Sequence, residues 1–181
     1  LFEKAIFRGT FVGAPLVFNF QRVTSALGCA VPGSVISAGS ARVFFLSDDG
    51  FYMLRGNQLV NIGSEKVNRY FLDRFQSAQS QKMVAEIDAL HQNVVWAYPS
   101  INSTDGSNDE LLIYNYELNR WSRAVIDCDA LANLNTAGYT LEQLDNISAS
   151  IDALPASLDD DMWKGGSFYF AGAVDKKVAS F

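Results

Sequence analysis

RVFFLSDDGFYMLRGNQLVNI, residues 42–62, is the stretch whose reading decides the fold. Arg42-Val43-Phe44-Phe45-Leu46 and Phe51-Tyr52-Met53-Leu54 are aromatic and aliphatic runs on either side of Ser47-Asp48-Asp49-Gly50. Asp-Gly between two such runs is a strong hairpin signal, because the tight turn needs positive φ. A second turn, Arg55-Gly56-Asn57, leads into Gln58-Leu59-Val60-Asn61-Ile62, which stops at Gly63. Three strands in series make an antiparallel meander.

The meander recurs. Asn93-Val94-Val95-Trp96-Ala97-Tyr98 is a strand, and a polar loop over residues 100–108 follows. Leu111-Leu112-Ile113-Tyr114-Asn115-Tyr116 returns, and the turn Glu117-Leu118-Asn119-Arg120 leads into Trp121-Ser122-Arg123-Ala124-Val125. Aligned on Phe44 and Val94, the offset is 50 residues. A third copy starts at Gly166-Ser167-Phe168-Tyr169-Phe170-Ala171, turns at Val174-Asp175-Lys176-Lys177 and runs to Phe181. Upstream, Ile6-Phe7, Thr10-Phe11-Val12, residues 15–20 and Val35-Ile36-Ser37-Ala38 also read as strands.

Repeats of about 40–50 residues, each a small antiparallel sheet, are the pattern of propeller blades. The expected fold is therefore all-β: antiparallel meander repeats of a β-propeller or propeller fragment, with short helical insertions. One domain over residues 1–181 is expected, with repeats near 41–63, 92–125 and 166–181 and an insertion over 138–160. A lone meander cannot bury both faces, so repeats stack to cover one another. A chain with this few repeats is expected to expose at least one apolar blade face, unless neighbouring chains or further sequence cover it. The chain opens on Leu1 and ends inside a strand-like run, so it reads as part of a longer protein.

Two segments depart from the β pattern. Residues 64–75 predict a short helix with Ser64 as its cap and with Val67, Tyr70, Phe71 and Arg74 on one face. Residues 140–151 place Leu141, Leu144, Ile147 and Ile151 at helical spacing, with Thr140 as cap and Pro155 beyond. Residues 85–90 fit either an outer strand or a helical turn.

Composition narrows the function. With 49% hydrophobic and 13% aromatic residues the chain is globular rather than disordered. A net charge of -6 and scattered basic residues argue against a broad grip on nucleic acid or anionic membrane. No run reaches the ~18 apolar residues that span a bilayer, and no basic-then-apolar leader opens the chain. Cys29 and Cys128 are too few for a disulfide framework and too far apart for a zinc site, so both read as buried free thiols.

No catalytic, cofactor or metal site is expected. His91 is the only histidine, and nothing selects a base or triad around it. The run Asp159-Asp160-Asp161 and the loop Asp105-Gly106-Ser107-Asn108-Asp109-Glu110 offer oxygen ligands, but neither has the spacing of a calcium loop. They read as a solvated acidic loop and a hairpin loop. Ser47-Asp48-Asp49-Gly50 is close to the aspartate box of sialidase propellers, but Gly50 comes one residue too early, so it reads as a plain turn. Sialidases also need a tyrosine nucleophile and clustered arginines, and nothing in the sequence places tyrosines and arginines together. Trp96, Tyr98, Tyr114, Tyr116, Trp121, Trp163, Phe168 and Tyr169 read as core rather than as sugar platforms. The sequons at Asn102 and Asn146 matter only in a secretory pathway.

Several strings carry a resemblance. They are Gly50-Phe51-Tyr52-Met53 with Ile62-Gly63-Ser64-Glu65-Lys66-Val67-Asn68-Arg69-Tyr70-Phe71, and Val94-Val95-Trp96-Ala97-Tyr98-Pro99 with Leu111-Leu112-Ile113-Tyr114-Asn115-Tyr116 and Arg120-Trp121-Ser122. A third block runs from Gly138-Tyr139-Thr140-Leu141-Glu142-Gln143-Leu144-Asp145 to Trp163-Lys164-Gly165-Gly166. Together, over most of the chain from about Ser40, they resemble structural proteins of tailed bacteriophages and prophages. The resemblance implies a virion tail component with a propeller, of nozzle or hub type, made in the bacterial host cytoplasm. It further implies homo-oligomeric assembly, contact with other tail proteins and passage of phage DNA without specific binding. Neither catalysis nor membrane insertion is implied. The alternative expectation is a carbohydrate-binding module that touches the host surface.

Overall fold

The computed structural model describes residues 1–135, 138–144, 146–148, 150–160, 163–166, 168–175 and 177–180. The protein is all-β, built from four separate antiparallel sheets with short helical segments between them. The N-terminal hairpin pairs β1 (Ile6–Phe11) with β2 (Phe18–Thr24). The first four-stranded sheet is β3 (Ile36–Ala38), β4 (Arg42–Ser47), β5 (Gly50–Arg55) and β6 (Gln58–Asn61), in that order. The second is β7 (Val84–Asp88), β8 (Asn93–Tyr98), β9 (Glu110–Asn115) and β10 (Arg120–Val125). The third has three strands, β11 (Ala130–Asn135), β12 (Phe168–Val174) and β13 (Lys177–Ser180).

Side-chain alternation stacks these sheets. Successive strand residues point to opposite faces. Phe44 and Leu46 of β4 therefore meet Val94, Trp96 and Tyr98 of β8 in one core, which Phe51, Phe71, Leu112 and Tyr114 complete. The alternate residue Phe45 points the other way and packs with Ile6 and Cys29, beside Val23 and Leu27 from the N-terminal segment. Val95 and Ala97 of β8 likewise face away from the first sheet and pack with Leu111 and Cys128, against Leu131 and Phe170 of the third. The order through the molecule is hairpin base, first sheet, second sheet, third sheet. Among the described residues the sheets do not close into a ring.

Polar bonds fix the seam between the two four-stranded sheets. The Trp96 indole donates to the Ser34 carbonyl (2.9 Å) and the Trp121 indole to the Ile62 carbonyl (3.0 Å). Arg42 pairs with Glu117 at 2.7 Å, and Lys66 reaches the Asn119 side chain at 2.8 Å.

Several local expectations change. Residues 84–88 form a strand, β7, paired with β8, which settles the choice left open there. The strand read over 15–20 lies at 18–24, and residues 12–17 form the turn, closed by Val12 N–H on the Val17 carbonyl. The helix read over 64–75 is α1 (Asn68–Arg74), and Ser64 does not cap it. Instead the Gly63 carbonyl accepts from the N–H groups of Lys66, Val67 and Asn68, which tightens the approach before the helix begins. Of the longer helix read over 140–151, the described residues form one turn, α2 (Leu141–Leu144), and a 3-10 turn at Ile151–Ala153, while Asp145 and Ala149 lie outside the described residues. Thr140 does cap α2: its Oγ1 accepts from Gln143 N–H, and the Gln143 side chain accepts from Thr140 N–H. The sequence pattern also did not show β11, which pairs with β12 from Ala130↔Ala173 to Asn135↔Phe168. The insertion thus lies between two neighbouring strands of one sheet. Ser167, Lys176 and Phe181 of the third repeat lie outside the described residues.

Candidate functional site

The most elaborate polar constellation centres on Glu110, the first residue of β9, which is 2% exposed. Its register neighbour Tyr98 donates a hydrogen bond to Oε2 at 2.8 Å. Helix α1 places Tyr70 and Arg74 four residues apart, so both reach the same carboxylate. Tyr70 donates to Oε2 at 3.2 Å, and Arg74 forms an ion pair with Oε1. Arg123 of β10 donates to the Tyr70 oxygen at 2.5 Å. The Arg74 and Arg123 guanidiniums both lie over the Tyr70 ring, 5.4 and 5.3 Å from its centroid.

Burial alone would raise the Glu110 pKa. The hydrogen bonds from Arg74 and Tyr98 outweigh it and hold the carboxyl below its ordinary range. Burial, reinforced by the Glu110 charge, drives the Tyr98 phenol far above its usual value. The Glu110 hydrogen bond raises Arg74 further. Glu110, Tyr98 and Arg74 are thus each held in one protonation state near neutral pH. A general acid or base needs a pKa near its working pH, so this cluster acts as an anchor that ties α1 to the second sheet. The structure does gather tyrosines and arginines, which the sequence did not foretell. Tyr98, however, is fully buried and cannot meet a substrate.

Two open clefts flank Tyr70, of about 430 and 360 Å³. Both include Lys66. Arg69 and Asp73 line one, and Trp121 and Arg123 the other.

The other candidates occupy structural positions. His91 Nδ1 lies 2.7 Å from the Asp88 carboxylate, which also accepts from the His91 N–H, in the turn between β7 and β8. Asp105 accepts from Ser103 Oγ and from both Ser107 N–H and Ser107 Oγ, and Ser107 pulls its carboxyl down to about 2. These bonds, all to Oδ1, hold the loop. Asp159 and Asp160 are exposed, and Asp161 lies outside the described residues. Among the described residues no three His, Cys, Asp or Glu side chains are grouped to hold a metal. Asp48 and Asp49 sit in the β4–β5 turn, where Asp49 accepts from the Tyr52 hydroxyl at 2.7 Å. Cys29 and Cys128 are buried free thiols in different cores, and burial raises both. Trp96, Tyr98 and Tyr114 are core residues, Trp121 is half-buried at the seam, and Phe168 and Tyr169 are exposed.

Exposed aromatic surface gathers instead at the hairpin, where Phe7, Phe11, Phe18 and Phe20 are all open to solvent. The outer face of the third sheet adds Leu134, Tyr169 and Val178. Both ends of the stack therefore present apolar surface open to solvent. No protein-family model matches the sequence, and no curated protein matches it.

Proposed function

We propose that this chain is a structural component of a bacteriophage tail, of nozzle or hub type, acting through protein–protein assembly rather than catalysis. The observation that supports it is the stack of sheets with apolar faces buried between them and left open at both ends. Apolar patches of this kind mark interaction surfaces. The stacking also favours a propeller-like parent architecture, in which further blades would cover the ends. The virion setting comes from the sequence resemblance. A carbohydrate-binding role fits less well, because the exposed rings of the hairpin are all phenylalanine and lack the polar handle that sugar platforms use.

Antibody raised against the chain should label purified phage particles at the tail. Particles that contain no copy of the chain overturn the reading. The net charge of -6 further favours DNA sliding past without adhering. Duplex DNA should migrate unretarded with the protein at low salt, and retention removes the channel role.

A further inference from the structure

Only the base of the N-terminal hairpin enters a core, through Ile6 with Val23 beside it. Beyond that point β1 and most of β2 are exposed on both faces, so the ribbon projects. Arg8 Nη2 tethers it to the first sheet, donating to the Gly56 carbonyl at 2.5 Å. The register places Phe7, Gly9, Phe11, Phe18, Phe20 and Arg22 on one face, with Arg8, Thr10, Asn19 and Gln21 on the other. The Phe20 ring lies over Gly9, where an added Cβ would come within 3.0 Å of it. Phe18 sits 5.8 Å from Phe11 and 6.3 Å from Phe20, ring to ring. Phe11, Phe18 and Phe20 are 69, 55 and 69% exposed. A two-stranded ribbon is marginal in water without a partner, and this one carries a ready-made apolar face.

The other end of the stack is complementary. Leu131 and Phe170 turn the inner face of the third sheet toward the second. The opposite face carries Leu134, Tyr169 and Val178 around the small residues Ala130, Ala132, Ala171 and Ala173, of which Ala171 is already buried within the chain, with Leu134 paired to Tyr169 and Ala173 to Val178. Charge is unequal between the ends. Residues 1–35 carry Lys4, Arg8 and Arg22 against Glu3, a net +2. The described residues of 126–180 carry seven acids against Lys164 and Lys177, a net -5.

We propose that the two ends bind each other between copies: the phenylalanine face of the hairpin docks on the outer face of the third sheet of a second copy. The contact repeats the sheet-on-sheet packing already used inside the chain. It joins a basic end to an acidic one, whereas a hairpin-to-hairpin pair would bring two basic ends together. Because the surfaces differ, the contact is heterologous and propagates into a ring or an open chain. The inference rests on the assembly reading and names its surface.

Light scattering on the purified chain tests it with two double variants, F11S/F18S on the hairpin and Y169D/V178D on the third sheet. The wild type should form concentration-dependent species at multiples of 19.9 kDa. Each variant should weaken self-association at least about tenfold. An equimolar mixture should restore a one-to-one pair, since each variant retains the surface that the other lacks. Raising the salt should weaken the wild-type contact. Near-UV circular dichroism confirms that the variants fold, and where one does not, the single substitutions Phe20→Ser and Val178→Asp replace it. A monomeric wild type, a mixture that stays monomeric, or undiminished assembly of Y169D/V178D each overturns the proposal. A monomeric wild type that still labels phage tails overturns this contact while the assembly reading stands.

Discussion

Asn68 shows how one side chain can organise a fold. It is buried, its Oδ1 accepts from Phe51 N–H at 3.1 Å, and its Nδ2 donates to the Asp49 carbonyl at 3.3 Å. The start of α1 is thereby tied to the β4–β5 turn. Gly50 is required twice over: its φ is +138°, and a Cβ there would lie about 2.0 Å from the Asn68 amide. Gly50→Ala should cost about 2 kcal/mol or more, read as a lower urea midpoint. The sequence showed the need for positive φ at Gly50 but could not show the neighbour, which is 18 positions away. Glu110 offers a second test. Glu110→Ala leaves the Arg74 charge and the Tyr98 hydroxyl without their acceptor and should cost about 3 kcal/mol. Because its folded pKa lies below the ordinary value, its contribution is complete above the normal carboxylate range, about pH 4.3. It is lost as the pH falls through the folded value. In urea titrations, the stability gap between wild type and Glu110→Gln should therefore narrow as the pH falls below the ordinary carboxylate range.

Strands differ in how much structure holds them. In hydrogen exchange, the amides of β8 and β9, paired on both sides and buried, should be the slowest, and those of β1 and β2 beyond the base among the fastest. Equal protection of the hairpin in a monomeric sample would mean that its apolar face is covered within the chain. The elements legible in the sequence were those with a run of β-branched and aromatic residues or a glycine turn: β1, β3 to β6, β8 to β10 and, with shifted ends, β2, β12 and β13. Strand β11, Ala130-Leu131-Ala132-Asn133-Leu134-Asn135, has neither aromatic nor β-branched residues. It becomes a strand because β12 supplies its ladder. Residues 64–67 failed to continue α1 because the Gly63 carbonyl captures three N–H groups there. The Glu110 cluster was illegible for a different reason. It draws on Tyr70, Arg74, Tyr98 and Arg123, which only the stacking of α1 on the second sheet brings to one carboxylate.

At the scale of the whole molecule, three apolar layers share the protection of two thiols. Cys29 lies between the hairpin base and the first sheet, and Cys128 between the second and third. Burial raises both pKa values, so a thiol reagent should react slowly with the native protein and take up two equivalents once urea unfolds it. A fast first equivalent would show that one end layer opens independently of the rest. The division of the third sheet also has a bearing on the order of events in folding. The longest connection inside the second sheet is residues 99–109, whereas residues 136–167 separate β11 from β12. Loop-closure entropy rises by about 0.6 kcal/mol for each doubling of length, so bringing β11 to β12 costs roughly 1 kcal/mol more. The second sheet is therefore expected to be complete while β11 still waits for its partner strand. During that interval the Val95, Ala97 and Leu111 face stands bare, and this is the surface on which a growing chain would be most open to capture by a chaperone or by another copy of itself.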